Sequence, residues 1–274
     1  MKYPLILSDF DGTLLRSDRS IGERTKKAIA RHVERGGIFA VCTGRTVASI
    51  LPEVRSFNLS GLVVSFNGAV ITDIRTGEHL RFDGFLKRDA VSVCEKLEEI
   101  GVRIHAYSAD TLYTNYRDRL LAHYERVCRI QAVQVEKMSE FLRNSTFLVH
   151  KIVVMIEEEK QQELFLHLKE LLGEDFYVTT SASILIEISP KGQNKGSAVD
   201  FLCDHYGLKR EQSLALGDQL NDLPMLTRAG MGVAVRNAVD ALKKSADLVT
   251  VTNDEDAVGV IIENYGMGEK QENE

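Results

Sequence analysis

Short, wholly apolar runs alternate with helix-period segments at the start of this chain, and that alternation restricts the fold more than any other feature. "LIL" at Leu5–Leu7 comes first, with Pro4 before it and Gly12 beyond it. "IGERTKKAIARHVERGG" follows, with Ile21, Thr25, Ala28, Ile29 and Val33 at helical spacing and Gly36-Gly37 ending it. "IFAVCT" is a second apolar run, "RTVASILPEVRSF" reads as helical at least as far as Pro52, and "LVVSF" is a third run. Strands that are apolar on both faces belong in a parallel sheet covered on both sides, with right-handed crossovers between them.

From about Gly68 the pattern changes. "NGAVITDIRTGEHLRF" reads as a hairpin with Thr76-Gly77 at its turn. "KRDAVSVCEKLEEIG" is helical, "VRIHAYS", "TLYTN" and "TFLVHKIVVMIE" are strands, "EEKQQELFLHLKELLG" is an amphipathic helix, and "FYVTTS" and "ILIEIS" are strands again. The first style then returns. "NKGSAVDFLCDHYG", "LPMLTRAG" and "NAVDALKKSA" read as helices around the strands "SLALGD", "MGVAV" and "DLVTV", with a last helix from about Asp254 to Asn264. The expected architecture is α/β. Residues 1–83 and 189–274 form one doubly wound, Rossmann-type parallel sheet, and residues 84–188 form an inserted α+β domain, in keeping with 274 residues. The tail "GMGEKQENE" has nothing to bury and is expected to be disordered.

In an open parallel sheet the ligand crevice lies at the C-terminal ends of the strands. Four polar clusters fall there. Asp9-Phe10-Asp11-Gly12-Thr13 follows the first run, Thr43-Gly44-Arg45 the second, Lys195-Gly196 opens a helix, and "GDQLND" (Gly217 to Asp222) follows "SLAL". Alternation along an extended chain points Asp9 and Asp11 the same way, and Asp218 and Asp222 stand one helical turn apart. Four carboxylates at one edge call for a hard cation, and Mg²⁺ suits oxygen ligands while leaving room for a phosphate. Thr43 offers a hydroxyl, Thr43 and Gly44 offer backbone N–H groups at a helix start, and Lys195 is a point charge at another helix N-terminus. Carboxylates, Mg²⁺ and an oxyanion cradle together describe a phosphoryl-transfer site. Each cluster alone has an ordinary reading as a turn, an N-cap or a solvated lysine. All four in this order at one edge point to chemistry.

Composition narrows the partners. A net charge of −6 and a pI near 5.7 argue against non-specific nucleic-acid binding or an anionic membrane surface. The four cysteines, Cys42, Cys94, Cys128 and Cys203, are scattered with no Cys-x-x-Cys pair, as expected of thiols in a reducing compartment. The first strand begins too early to leave room for a signal peptide, and no apolar run nears membrane-spanning length. A soluble cytoplasmic protein with a small-molecule partner is expected.

The motifs "DFDGTLL", "TGR", "NGA" (Asn67–Ala69), "NKG" and "GDQLND", with the trailing "GVAVRNA…ADLVT…NDEDAV", resemble the haloacid dehalogenase (HAD) superfamily phosphatases. The similarity is to the Cof-type subfamily IIB, whose α+β insert is a C2B cap. Arg236 in place of a glycine and "DAVG" (Asp256–Gly259) in place of Asp-Gly-Val depart from the family pattern. The resemblance implies a Mg²⁺-dependent phosphatase acting on a small phosphate ester, a sugar phosphate or phosphorylated polyol. Asp9 would be the nucleophile that forms an aspartyl-phosphate. Asp11 would be general acid and then base, which calls for a raised pKa. The metal would sit on Asp9, Asp218 and the backbone carbonyl of Asp11, with Asp222 behind it. Phe10 N–H, Thr43, Gly44, Lys195 and Asn221 would hold the phosphoryl oxygens, and Arg45 would reach a substrate group. In the insert, core or surface roles are expected for His105, Tyr107, Tyr113 and His150. A phosphomutase of the same fold and a catalytically silent phosphometabolite-binding protein remain open alternatives at this point.

Overall fold

The computed structural model describes residues 1–109, 111–128 and 130–266, so most of the tail, from residue 267 on, lies outside the described residues. The chain divides into two compact units. Met1–Gly44, Ile50–Arg81 and the described residues from Asn194 onward form the first; Arg45–Ser49 and Phe82–Gln193 form the second. In chain order the elements begin with β1 (Leu5–Asp9), α1 (Glu23–Glu34), β2 (Ile38–Cys42), α2 (Val47–Ser56), β3 (Leu62–Ser65), β4 (Val70–Asp73) and β5 (His79–Phe82). Next come α3 (Lys87–Glu99), β6 (Arg103–Ser108), β7 (Thr111–Thr114), α4 (Arg119–Cys128), β8 (Ala132–Gln134), α5 (Met138–Asn144), β9 (Lys151–Met155), α6 (Glu158–Leu172), β10 (Phe176–Ala182) and β11 (Leu185–Pro190). The last stretch holds α7 (Lys195–Tyr206), β12 (Ser213–Gly217), α8 (Leu223–Arg228), β13 (Met231–Ala234), α9 (Asp240–Ser245), β14 (Leu248–Val249) and α10 (Ala257–Ile261).

The larger sheet has the order β14-β13-β12-β1-β2-β3-β4-β5. Pairing is parallel from β14 through to β3, and β4 turns back antiparallel to β3. The chain moves outward from β1 to β2 and β3, then returns as β12 on the other side of β1. Leu5 thus pairs with both Ile38 and Ser213. That reversal makes the C-terminal ends of β1 and β12 a switch point, where open α/β sheets bind ligands. Strand alternation splits the core in two. Ile6, Phe39, Val41 and Leu216 pack with Ala28 and Ile29 of α1 on one face, and Leu5, Leu7, Ala40 and Ala215 pack with Ala198, Val199 and Leu202 of α7 on the other.

The second unit has its own sheet, β10-β11-β9-β6-β7-β8, antiparallel except where β7 meets β8. Ile104, Ala106, Ile152, Val154, Ile186 and Ile188 share a core with Val93 and Leu97 of α3 and Leu168 of α6. His105, Tyr107 and His150 are buried, as expected of core residues. His105 Nε2 lies 2.7 Å from the Tyr116 hydroxyl, and His150 Nδ1 lies 2.6 Å from the Asp83 carbonyl oxygen. Burial holds His105 down to about 3, so it is a neutral core ring.

α2 runs through Pro52 to Ser56, within the segment expected to be helical, anchored by buried Ile50 and Val54. Two expected elements differ in extent. The strand expected from Thr146 begins only at Lys151; before it, the Val149 carbonyl accepts from the Phe85 N–H at 2.7 Å, outside the ladder. The last helix is confined to Ala257–Ile261 and widens into a π turn over Ile262–Gly266. No helix among the described residues is long and apolar enough to cross a membrane.

Candidate active site

β1 ends at Asp9 and its neighbour β12 ends at Gly217, so Asp9 and Asp218 emerge side by side at the switch point. Lys195 reaches the same place from the first turn of α7. That turn is fixed by a capping box in which Asn194 Oδ1 accepts from the Ser197 N–H and the Ser197 hydroxyl accepts from the Asn194 N–H. The Lys195 ammonium, 1% exposed, donates to Asp9 Oδ1 and, at 2.6 Å, to Asp222 Oδ1. Asp222 has no exposed surface, and its Oδ2 accepts from the backbone N–H groups of Asp218 and Gln219, both at 2.9 Å. One carboxylate therefore both seats the lysine and closes the turn that presents Asp218. Asp218 Oδ1 accepts from the Thr13 hydroxyl at 3.0 Å, and its Oδ2 accepts from Gln219 Nε2 at 3.1 Å. Gly12, with φ of 81°, passes so close that a Cβ there would stand 2.7 Å from Asp218 Oδ2.

The electrostatics are unbalanced. Carboxylate oxygens of Asp9, Asp218 and Asp222 all lie within 4.8 Å of one another, and among the described residues the ammonium of Lys195 pairs with Asp9 and Asp222. Burial pushes Asp9 well above the usual carboxylate range; Asp222 and Asp218 add to this and Lys195 opposes it. Burial and the Asp222 charge push Asp218 up to about 6. Burial alone would pull Lys195 down, but Asp222 and Asp9 outweigh it and hold the ammonium charged. A buried set of hard oxygen donors with surplus negative charge fits a divalent cation of the Mg²⁺ type.

The other sequence-predicted residues are arranged as follows. β1 stops at Asp9, so alternation does not carry on to Asp11. Asp9 is buried, Asp11 is exposed, and the Asp11 carboxylate is not part of the three-acid cluster. Phe10 is buried in the core. Thr43 is buried, but its N–H donates to the Val64 carbonyl at 2.8 Å, which corrects the expectation that this group is on offer to an anion. The helix begins at Val47 rather than at Gly44, and the Thr46 hydroxyl accepts from Ser49 N–H at 3.1 Å. Gly44 belongs to the first unit, whereas Arg45 groups with the second. Asn221 is buried and donates from Nδ2 to Asn67 Oδ1 at 3.2 Å. Thr13, Asn67 and Gln219 are contacts that the sequence did not assign, although all three sit inside the quoted motifs "DFDGTLL", "NGA" and "GDQLND". The departures fall elsewhere. Arg236 is exposed, and Asp256, in left-handed backbone, accepts from Arg16 Nη2 at 2.7 Å and the Thr25 hydroxyl at 2.9 Å.

The sequence profile of the haloacid dehalogenase-like hydrolases matches residues 6–262. The chain belongs to this family. The hydrolase is 30% identical over 267 residues to the 5-amino-6-(5-phospho-D-ribitylamino)uracil phosphatase YitU of Bacillus subtilis, covering 95% of this chain and 97% of that one. It is also 30% identical over 244 residues to an HMP-PP phosphatase of Yersinia enterocolitica, covering 88% of this chain and 87% of the other. The structure of a haloacid dehalogenase-like hydrolase from B. subtilis superposes with a TM-score of 0.86 at 26% identity, over 97% of this chain and all of its counterpart. The hydrolase is a phosphatase, an enzyme acting on phosphoric monoesters.

Proposed function

We propose that this phosphatase hydrolyses small phosphorylated metabolites, sugar phosphates or related phosphorylated polyols, through an aspartyl-phosphate formed on Asp9. The observation that carries the reading is the contrast between two acids one residue apart. Asp9 is buried against an ammonium and two further carboxylates, whereas Asp11 is exposed. The first suits a held nucleophile and the second a proton carrier that meets a leaving group and then water.

In the first step an Asp9 carboxylate oxygen forms a bond to phosphorus as the ester P–O bond breaks, and Asp11 gives its proton to the departing alkoxide. In the second, Asp11, now a carboxylate, takes a proton from water as that water attacks phosphorus, freeing phosphate and restoring Asp9. Lys195, Thr43, Gly44, Asn221 and the Phe10 N–H are assigned to the phosphoryl oxygens, and Arg45 to a substrate group. Asp222 holds Lys195 and the Asp218 turn in place. Asp9, Asp218 and the Asp11 backbone carbonyl are the groups that would hold Mg²⁺, which when bound supplies charge neutralisation for the phosphoryl group. The second unit is assigned to selecting the leaving group, by the same family resemblance. The substrate for which the B. subtilis relative is named carries a phosphate on a ribityl chain, which supports the polyol class.

Phosphate release from a panel of phosphorylated sugars, polyols and other metabolites tests the reading. Turnover that needs Mg²⁺, stops with EDTA and is highest on one sugar or polyol phosphate is expected. Full activity in EDTA, or tight binding of phosphate esters with no hydrolysis of any, would contradict it. A trapped bisphosphorylated intermediate would move the assignment to a mutase.

A further inference from the structure

The chain reverses between β3 and β4 through a turn that is more strained and more buried than a hairpin needs. Phe66, Asn67 and Gly68 all have positive φ, of 49°, 53° and 107°. A bulky aromatic residue in the left-handed region is a steric outlier, and such backbone persists only where its surroundings over-determine it. A hairpin tip ordinarily lies at the surface, yet Phe66 is 0% and Asn67 1% exposed. The turn is wedged among the elements of the site. Asn67 N–H donates to the Thr43 carbonyl at 3.0 Å. A Cβ on Gly68 would stand 2.5 Å from the carbonyl oxygen of Asn194, the residue that caps the Lys195 helix. On the third side, Asn67 Oδ1 accepts from Asn221 Nδ2 at 3.2 Å, while the buried Asn221 Oδ1 has no hydrogen-bond partner among the described residues.

We infer that Asn67 is a positioning residue that orients the side-chain amide of Asn221 for phosphate. An amide nitrogen carries two protons. By accepting one, Asn67 Oδ1 fixes the nitrogen end of Asn221 and leaves the second N–H for a phosphoryl oxygen; without it, the amide is free to turn its oxygen towards the anion. The inference rests on the proposed role of Asn221 in holding phosphate. The backbone contact to Thr43 and the left-handed conformation do not depend on the Asn67 side chain. Asn67→Gly therefore deletes the orienting atom while keeping the turn, since glycine adopts positive φ freely.

The test is a double-mutant cycle on Asn67→Gly and Asn221→Ala, reading inhibition of p-nitrophenyl phosphate hydrolysis by inorganic phosphate, with a thermal melt of each variant. Asn67→Gly is expected to melt like the parent and to weaken phosphate about tenfold, the effect of one buried hydrogen bond. Asn221→Ala should weaken phosphate at least as much, and Asn67→Gly should add nothing in its background. Parent-like phosphate affinity in Asn67→Gly overturns the inference, as does a loss that persists in full beside Asn221→Ala. If Asn67→Gly fails to fold, Asn221→Ala decides alone: unchanged phosphate affinity overturns the inference. A parent protein that neither hydrolyses the ester with Mg²⁺ nor binds phosphate would instead overturn the proposed function.

Discussion

Replacing Asp222 by asparagine changes almost no volume and removes one charge, yet it should be among the most damaging substitutions in the chain. The Asp222 carboxylate, with no exposed surface, accepts from Lys195 through Oδ1 and from the Asp218 and Gln219 N–H groups through Oδ2. An amide has only one accepting oxygen. Turned towards the two backbone groups, it sets its NH₂ against the ammonium, which stands 2.6 Å from the present Oδ1. Turned the other way, it sets its NH₂ against two N–H donors. Either orientation loses a charge-assisted bond, about 1.5–3 kcal/mol, and strands a buried donor, about 1–3 kcal/mol more. The total, about 2.5–6 kcal/mol, brackets the ~3–5 kcal/mol cost of breaking a buried ion pair. Because a chain of two compact units need not unfold in one transition, hydrogen exchange is a better assay than a single melting curve. Protection should be read on the peptide that carries Asp218 and Gln219, whose amides bond Asp222 directly. Asp222→Asn is expected to lower it by two decades or more, about 3 kcal/mol. A loss below about 1 kcal/mol would show that Asp222 does not hold the turn and the lysine together.

Gly12→Ala adds one methyl group at φ of 81°, 2.7 Å from Asp218 Oδ2. It should cost about 1–2 kcal/mol in a denaturation midpoint and more than tenfold in turnover, since the acid it displaces is a proposed metal ligand. His105 gives the second unit a pH dependence. Folding holds it at about 3 against an ordinary value near 6.5, so between these pH values the unfolded chain binds the extra proton. Its contribution to stability is full above pH 6.5 and falls as the pH drops, by about 2 kcal/mol at pH 5. Urea denaturation at pH 7 and pH 5 should show that drop, and His105→Gln should flatten it.

The sheet was legible because strands buried on both faces must be apolar throughout, and "IFAVC" and "LVVS" show this without any knowledge of their neighbours. The site was legible for a different reason. Each polar cluster alone has an ordinary structural use, but four of them in order at one sheet edge do not, and Asp9, Lys195, Asp218 and Asp222 do come together. What failed to show depends on contacts between distant segments. β8 and α5 span only three and seven residues, too few for a period to show, and owe their form to packing in the second unit. Whether the Thr43 N–H was available could not be read locally, because its partner, Val64, lies on the next strand. Asn67 lies inside the quoted motif "NGA", but its part in the site depends on its burial and its bond to Asn221, neither of which is local. Strand alternation overreached at Asp11 because the strand ends two residues earlier.

The central claim is that Asp9 is the nucleophile, and Asp9→Asn tests it with the smallest change available. Hydrolysis of p-nitrophenyl phosphate should be followed at saturating Mg²⁺, with hydrogen exchange showing that the variant is folded. The account predicts p-nitrophenolate release no faster than the uncatalysed background. Retained turnover in the folded variant would contradict it.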